Sequence, residues 1–331
     1  MKEPERGKAK GKESRQEIGP ETEKKFPHLY GPVPSRRLGY SLGVDLLPFK
    51  TCSLSCAYCQ LGRTMKTTVR RGRFFSEKQV LKEIEEFLKA GPRVDVITFS
   101  GSGEPSLNRS LGRLIRKIKK MTDLPVAVLT NSTLLSRPGV RQELSAADIV
   151  VPSLDAATQT VFKKINRPHP SLRADKIIDG LIRFRRQFKG RLWLEILLVR
   201  GINDSPAHLK KLKAAVEKIN PDRIHLNTVV RPPAENRARP LSPEELSRIK
   251  EFFGDRAEVV AGFRKKEQDR APRDIAQAIL AIVRRRPVSL EDLEHSLGLT
   301  REELSLNLQR LLEQKKVKMV RHLDCDYFEP A

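Results

Sequence analysis

An alternation repeated six times between residues 40 and 260 restricts the fold most: a short apolar run, then a longer stretch with a single apolar stripe. The runs are Ser41–Leu47, Val94–Phe99, Pro125–Leu129, Ile149–Ser153, Leu192–Val199 and Arg223–Val229. Most are β-branched or leucine-rich and apolar throughout, as in parallel strands covered on both faces. The intervening stretches place Val80, Ile84, Phe87 and Leu88, then Leu111, Leu114, Ile115 and Ile118, then Leu209, Leu212, Val216 and Ile219, on one face of a helix. Successive β/α units imply a parallel sheet with right-handed crossovers. Six strands are too few for the usual eight-stranded closure. The expected architecture is therefore α/β, an open, partial (β/α)6 TIM-like barrel over 26–263. Ligands of such sheets collect at the C-terminal ends of the strands.

The flanks differ in character. Residues 1–25 mix charges with few large apolar side chains and lack an apolar h-region, so they read as a disordered segment rather than a secretory signal. A charged linker is expected over 264–272. Beyond it, 273–331 carries three short helical patterns: Ile275, Ile279 and Val283; Leu290, Leu293 and Leu297; and Thr300–Gln314, with Thr300 as N-cap and Glu303 at the capping-box position. With a hairpin-like tail over Lys316–Phe328, this predicts a C-terminal winged helix-turn-helix domain. No run of eighteen apolar residues predicts a membrane helix, and the expected location is the cytoplasm with no membrane partner.

The net charge of +23 is unevenly spread. Residues 1–25 hold 8 Lys/Arg and 6 Asp/Glu, 271–331 hold 10 and 10, and the middle holds 46 and 25. A surplus of this size attracts anionic partners, nucleic acid above all, although a lysine- and arginine-rich soluble surface has the same composition. The neutral C-terminal segment argues against a duplex-DNA repressor, whose affinity comes largely from phosphate neutralisation.

Three of the four cysteines fall in one C-x3-C-x2-C run, Cys52, Cys56 and Cys59, directly after the first strand. Thiolates are soft ligands suited to iron–sulfur clusters. Three of them on a four-iron cubane leave one iron open to a substrate. Structural zinc takes four ligands and would have to recruit His28, His169 or Cys325 from a distance.

The triplet, with Tyr58 just before its third cysteine, resembles the signature of the radical S-adenosylmethionine superfamily. The resemblance implies that Cys52, Cys56 and Cys59 bind three irons of a [4Fe–4S] cluster. The fourth iron is chelated by the methionyl amino and carboxylate groups of S-adenosylmethionine. Reductive cleavage then produces a 5′-deoxyadenosyl radical that abstracts hydrogen from a substrate, with the electron supplied by a donor such as flavodoxin or ferredoxin. After the second strand, Gly101, Ser102, Gly103 and Glu104 are similar to the family's Gly-Gly-Glu motif, which holds the methionyl amino group, with one extra serine. Asn131 ends the third strand in a segment similar to the family's Thr-Asn-Gly. Ser153 and Asp155 end the fourth and could bind carboxylate or ribose hydroxyls, with helix capping the other role open to Asp155. Arg167, in a stiff proline-flanked loop, is a candidate anion contact. Glu195 intrudes in an apolar strand and needs a partner, either a ligand in the barrel interior or an arginine. Arg36 and Arg37 could set positive charge near the cluster. No catalytic residue acting after radical formation is identified.

Gly-Pro-Val-Pro-Ser-Arg-Arg-Leu-Gly before the triplet, Gly-Ser-Gly-Glu-Pro and Asn203-Asp204 together look like a narrower group, related to the tRNA wyosine-base synthase, over residues 28–262. That enzyme carries a second cluster and a catalytic lysine, whereas Cys325 is the one cysteine of this chain outside the triplet. RNA is the substrate class expected, with tRNA modified on a base as the narrower expectation. A phosphorylated metabolite, a protein substrate as for an activase, and a redox-sensing transcriptional regulator are the alternatives.

Overall fold

All six expected strands form and run parallel, within a sheet of eight. The computed structural model describes residues 26–35, 37–91, 93–260 and 275–331. Strands β1 (Leu29–Ser35), β2 (Gly39–Val44), β3 (Val96–Phe99), β4 (Val126–Thr130), β5 (Ile149–Pro152), β6 (Arg191–Leu198), β7 (Arg223–Thr228) and β8 (Ala257–Val259) lie in sheet order 1 to 8. β1 is antiparallel to β2 and every other pairing is parallel. Helices α1 (Glu77–Lys89), α2 (Leu111–Met121), α3 (Pro138–Leu144), α4 (Gln159–Ile165), α5 (Ala174–Gln187), α6 (Pro206–Ile219) and α7 (Pro243–Phe253) cross between the parallel strands. Ser76, Thr158, Ser205 and Ser242 each start one of these helices by accepting a backbone N–H.

Alternation along the strands separates two environments. Ile97, Phe99, Val126, Val128, Val150, Leu192, Leu194 and Ile196 point outward into the main core shared with the helices. Val96, Ala127, Ile149, Val151 and Trp193 point inward and form a separate apolar floor. Towards the C-terminal ends the inward positions turn polar, to Ser41, Thr98, Ser153, Glu195 and Asn227, which line a cavity. The interior is therefore dry below and polar above.

The two edge strands were not foreseen. β1 contains Gly31, Pro32 and Pro34, and its pairing with β2 shifts register between Tyr30 and Val33. Prolines cannot donate to a ladder, so such a strand is tolerated at an edge. β8 is three residues long, too short for a periodic signal.

The C-terminal segment folds as α8 (Ile275–Val283), β9 (Val288–Ser289), α9 (Leu290–Leu297), α10 (Arg301–Glu313), β10 (Val317–His322) and β11 (Cys325–Pro330). Its strands form an antiparallel sheet in the order β10-β11-β9. Thr300 and Glu303 make the expected reciprocal capping box. This module touches both sides of the open sheet. Val33 of β1 joins its core, while the Tyr327 hydroxyl donates to the carbonyl of Val230, just beyond β7, at 2.7 Å. The expected disordered segment 1–25 and linker 264–272 lie outside the described residues, as does Arg36. Among the described residues no helix is long and apolar enough to cross a membrane.

Candidate active site: the cysteine loop and the strand ends

The loop carrying Cys52, Cys56 and Cys59 has no regular structure, yet its backbone is held at many points. Lys50 N–H donates to Ser102 O at 2.8 Å, and Glu104 N–H to Thr51 O at 3.1 Å. On the other side Ser55 N–H donates to Asn166 O at 3.0 Å, Ala57 N–H to Ile165 O at 2.8 Å and His169 N–H to Ser53 O at 3.0 Å. Leu54 and Ala57 anchor it in the main core. The loop is thus clamped between the turn after β3 and the turn after α4.

Each sulfur has a side-chain donor. Asn131 Nδ2 lies 3.5 Å from Cys52 Sγ, Asn166 Nδ2 lies 3.4 Å from Cys56 Sγ, and Lys50 Nζ lies 3.1 Å from Cys59 Sγ. Burial, reinforced by the Glu104 carboxylate, pushes the Cys52 thiol up to about 12. Burial and Asp155 likewise raise Cys56. Without a metal the Cys52 and Cys56 thiols stay protonated, so a positively charged metal group must displace their protons to bind. Among the described residues no three His, Cys, Asp or Glu side chains close on one point as a single ion requires. Thiolates of a cubane each take a different iron, so three soft donors on one pinned loop fit a [4Fe–4S] group.

The glycines after β3 serve the loop. A Cβ on Gly103 would stand 2.0 Å from the Thr51 carbonyl oxygen. Gly101 has φ +137°, and a Cβ there would meet Asp45 Cγ at 2.5 Å. Ser102 turns away: its N–H and hydroxyl both donate to Asp45 Oδ2, at 2.9 and 2.6 Å. The cavity is lined by Gly101, Gly103 and Glu104 but not by Ser102, so the extra serine anchors the turn.

Glu104 is 1% exposed. Its Oε1 accepts from Ser106 N–H (3.0 Å), Ser106 Oγ (2.5 Å) and Thr130 Oγ1 (2.6 Å), and its Oε2 accepts from Asn131 N–H at 2.6 Å. Burial raises its pKa above the usual carboxylate range, and these bonds offset only part of the rise. Oε2, with a single partner, retains capacity to accept a cation's proton. Asn131 lines the same cavity as Cys52, Cys59, Tyr58 and Ser153, whose volume is about 440 Å³.

Asp155 does not line that cavity. It is 3% exposed and accepts from Tyr58 Oη (2.5 Å), Asn166 Nδ2 (2.7 Å) and Leu197 N–H (2.9 Å). Nor does it cap a helix, since Thr158 is the N-cap of α4. Its geometry makes it the post that orients Tyr58 and Asn166. Arg167, in the left-handed region at φ 44°, forks onto Glu235. Glu235 N–H in turn donates to Ala57 O at 3.0 Å, so the pair buttresses the cysteine loop from outside the cavity.

Glu195 faces the interior and also has its arginine. Arg37 pairs with it, and Asn227 Nδ2 donates to it at 3.1 Å. Burial alone would raise Glu195, but Arg37 and these bonds hold it below the usual carboxylate range. Arg37 lines the same cavity as Cys52 and Cys59 but is engaged by Glu195, and the cation on a cluster sulfur is Lys50. Lys50 and Asn166 were missed in the sequence, where neither belongs to a periodic pattern. Asn203, singled out there, ties β6 to the end of β5 through Val199 N–H, Leu197 O and Asp155 O.

Comparison with known proteins agrees with this geometry. The family model for the radical SAM superfamily matches residues 46–212. The UPF0026 protein MJ1312 of Methanocaldococcus jannaschii is 36% identical over 228 residues, covering 68% of this chain and 71% of that protein. A Brachyspira hyodysenteriae protein named GTPase Obg is 38% identical over 297 residues, 89% of this chain; the chain spans 44% of that relative's length. The dual-specificity RNA methyltransferase RlmN of Oleidesulfovibrio alaskensis is 25% identical over 214 residues, 61% of this chain and 57% of that enzyme. The chain belongs to the radical SAM superfamily, among relatives of the UPF0026 group, and is an iron–sulfur enzyme whose cofactors are a [4Fe–4S] cluster and S-adenosylmethionine.

Proposed function

We propose that this enzyme modifies a base of RNA, with tRNA as the expected class, using its cluster to cleave S-adenosylmethionine. The observation that carries the cofactor half is the clamp that sets the three-thiol loop against Glu104 and Asn131 at the mouth of one cavity. Bound there, the cluster and S-adenosylmethionine supply a radical able to take hydrogen from carbon. The chain supplies placement. Cys52, Cys56 and Cys59 hold the metal, Glu104 offers Oε2 to the methionyl ammonium, and the backbone of Gly101 and Gly103 leaves room for close approach. Tyr58 and Ser153 wall the cavity on the side of β5, and the apolar floor of Val96, Val151 and Trp193 keeps water out from below.

Two observations support the RNA half: the positive surplus concentrated in residues 26–270 and the RNA methyltransferase among the relatives. The C-terminal module, with three helices and a β10–β11 hairpin, is read as a winged helix-turn-helix that positions RNA or a protein rather than a DNA repressor. The finer likeness to the wyosine-base synthase rests on the stretch around β1 and on Asn203, and the chain has one cysteine beyond the triplet for any second cluster. The test is incubation of reconstituted enzyme, dithionite and S-adenosylmethionine with cellular RNA fractions, followed by mass spectrometry of nucleosides. A new or depleted nucleoside in the tRNA fraction supports the reading. Turnover of S-adenosylmethionine with no change in any RNA fraction rejects it.

A further inference from the structure

Three arginines line the part of the cavity wall reached by the C-terminal module: Arg231, after β7, and Arg285 and Arg286, just beyond α8. They are not equivalent. Arg231 pairs with the buried Asp292 at 3.3 Å. Arg285 donates to the carbonyls of Ala281 and Pro27, both at 3.0 Å, and lies 3.7 Å from Asp45 and over the Tyr30 ring. Arg286 has no such arrangement. Its Nε and Nη2 are buried and bond nothing, although the residue as a whole retains some exposure. Asp292 Oδ1 is likewise unbonded; the acid attracts Arg286 across space without bonding its Nε or Nη2.

Burial and the like charge of Arg231 bring Arg286 down to about 10, which still leaves it protonated at neutral pH. The carboxylates that act on Arg285 and Arg286 are Asp45, Glu83 and Asp292, and none of them bonds Arg286 Nε or Nη2. A buried cation without a partner is costly and is retained where a ligand completes it. A guanidinium edge presents donors in a planar fork that matches phosphate oxygens. The same cavity holds Cys52, Cys59 and Glu104.

We propose that Arg286, with Arg231 beside it, forms a phosphate-binding subsite for the substrate, so that the C-terminal module completes the active site. The inference rests on the reading that substrate enters this cavity. It requires a phosphate on the substrate, whether of a polynucleotide or of a free nucleotide.

The experiment uses the full chain without its cluster and needs no turnover, so it can fail while S-adenosylmethionine cleavage succeeds, and the reverse. Inorganic phosphate is titrated by calorimetry into wild type, R286K and R286M at constant ionic strength. Loss of one charge-assisted contact is expected to weaken phosphate binding about tenfold or more in R286M, and less in R286K, which keeps the charge. R286M is expected to melt no lower than wild type without phosphate, because two of the removed donors are buried and bond nothing; a structural arginine would lower the melting temperature. Wild type is expected to prefer a nucleoside monophosphate to its nucleoside, and R286M to lose that preference. Displacement of phosphate by a short oligoribonucleotide identifies a polynucleotide source, and displacement by the monophosphate alone a free one. Equal phosphate affinity in wild type and R286M overturns the proposal. So does a loss of S-adenosylmethionine affinity in R286M measured separately after cluster reconstitution, which would assign the arginine to the cofactor.

Discussion

Replacing Gly103 by alanine adds one methyl group where the structure has no room. The added Cβ would stand 2.0 Å from the Thr51 carbonyl oxygen and 2.9 Å from Leu47 Cδ1. The first of these is backbone and cannot rotate aside. Gly103 does not need a left-handed backbone, so the effect is one of space alone. Relief requires the Thr51 segment to move away, breaking the bond from Glu104 N–H to Thr51 O. Overpacking of this kind costs about 1–3 kcal/mol, and the lost bond adds roughly 1 kcal/mol. Because Thr51 and Gly103 adjoin Cys52 and Glu104, the same shift separates a cluster ligand from the carboxylate beside it. Misplacement by about 1 Å can cost on the order of 100-fold in rate. Melting temperature, iron bound per chain after anaerobic reconstitution, and 5′-deoxyadenosine formed per hour are measured for wild type, Gly103→Ala and Gly139→Ala. Gly139 has open space around its Cβ position, so its variant is expected to match wild type. A Gly103→Ala protein with wild-type melting, iron content and turnover would refute the claim that this glycine seats the loop.

Other perturbations have definite signs. Lys50→Met removes the cation on Cys59 Sγ; the cluster should still assemble, but its reduction potential, followed by redox titration with electron paramagnetic resonance, should fall because the reduced state loses a compensating charge. Asp155→Asn removes the carboxylate that accepts from Tyr58, Asn166 and Leu197; about 1–3 kcal/mol of stability should go with it, read by denaturant unfolding, together with slower iron loading. Glu235 is held down at about 2 by its bonds to Arg167, below the ordinary value of about 4.3. Its folded-state value is depressed, so its contribution is present above the unfolded value and disappears as pH falls from about 4.3 towards 2. The melting difference between wild type and Glu235→Gln should shrink across that window.

Much of the frame is legible in the chain because burial on both faces leaves a simple signature. Val96–Phe99 and Ile149–Pro152 are buried at every position, and their continuous apolar runs locate parallel strands to within a few residues. β1 escapes this reading because its prolines suit an edge and its partner is a strand of the opposite sense. The site divides in the same way. Thiol spacing is a local property, so Cys52, Cys56 and Cys59 announce themselves. Which side chain donates to each sulfur depends on contacts 9, 79 and 110 residues apart in sequence, and no local pattern contains them. Asp155, Ser102 and Arg167 show the limit most clearly. Each has the right chemistry at a strand end or turn, yet the fold engages them with Tyr58, Asp45 and Glu235, and they hold the site in shape from outside its cavity.

The account's central claim is that the three thiols, set against Glu104, carry a cluster that cleaves S-adenosylmethionine. Its most direct test is chromatographic measurement of 5′-deoxyadenosine after anaerobic reconstitution with iron and sulfide, reduction by dithionite and addition of S-adenosylmethionine. Wild type is predicted to form 5′-deoxyadenosine, and Cys52→Ala, Cys56→Ala and Cys59→Ala each to form none. A wild-type protein with a spectroscopically intact [4Fe–4S] cluster that forms no 5′-deoxyadenosine would contradict it.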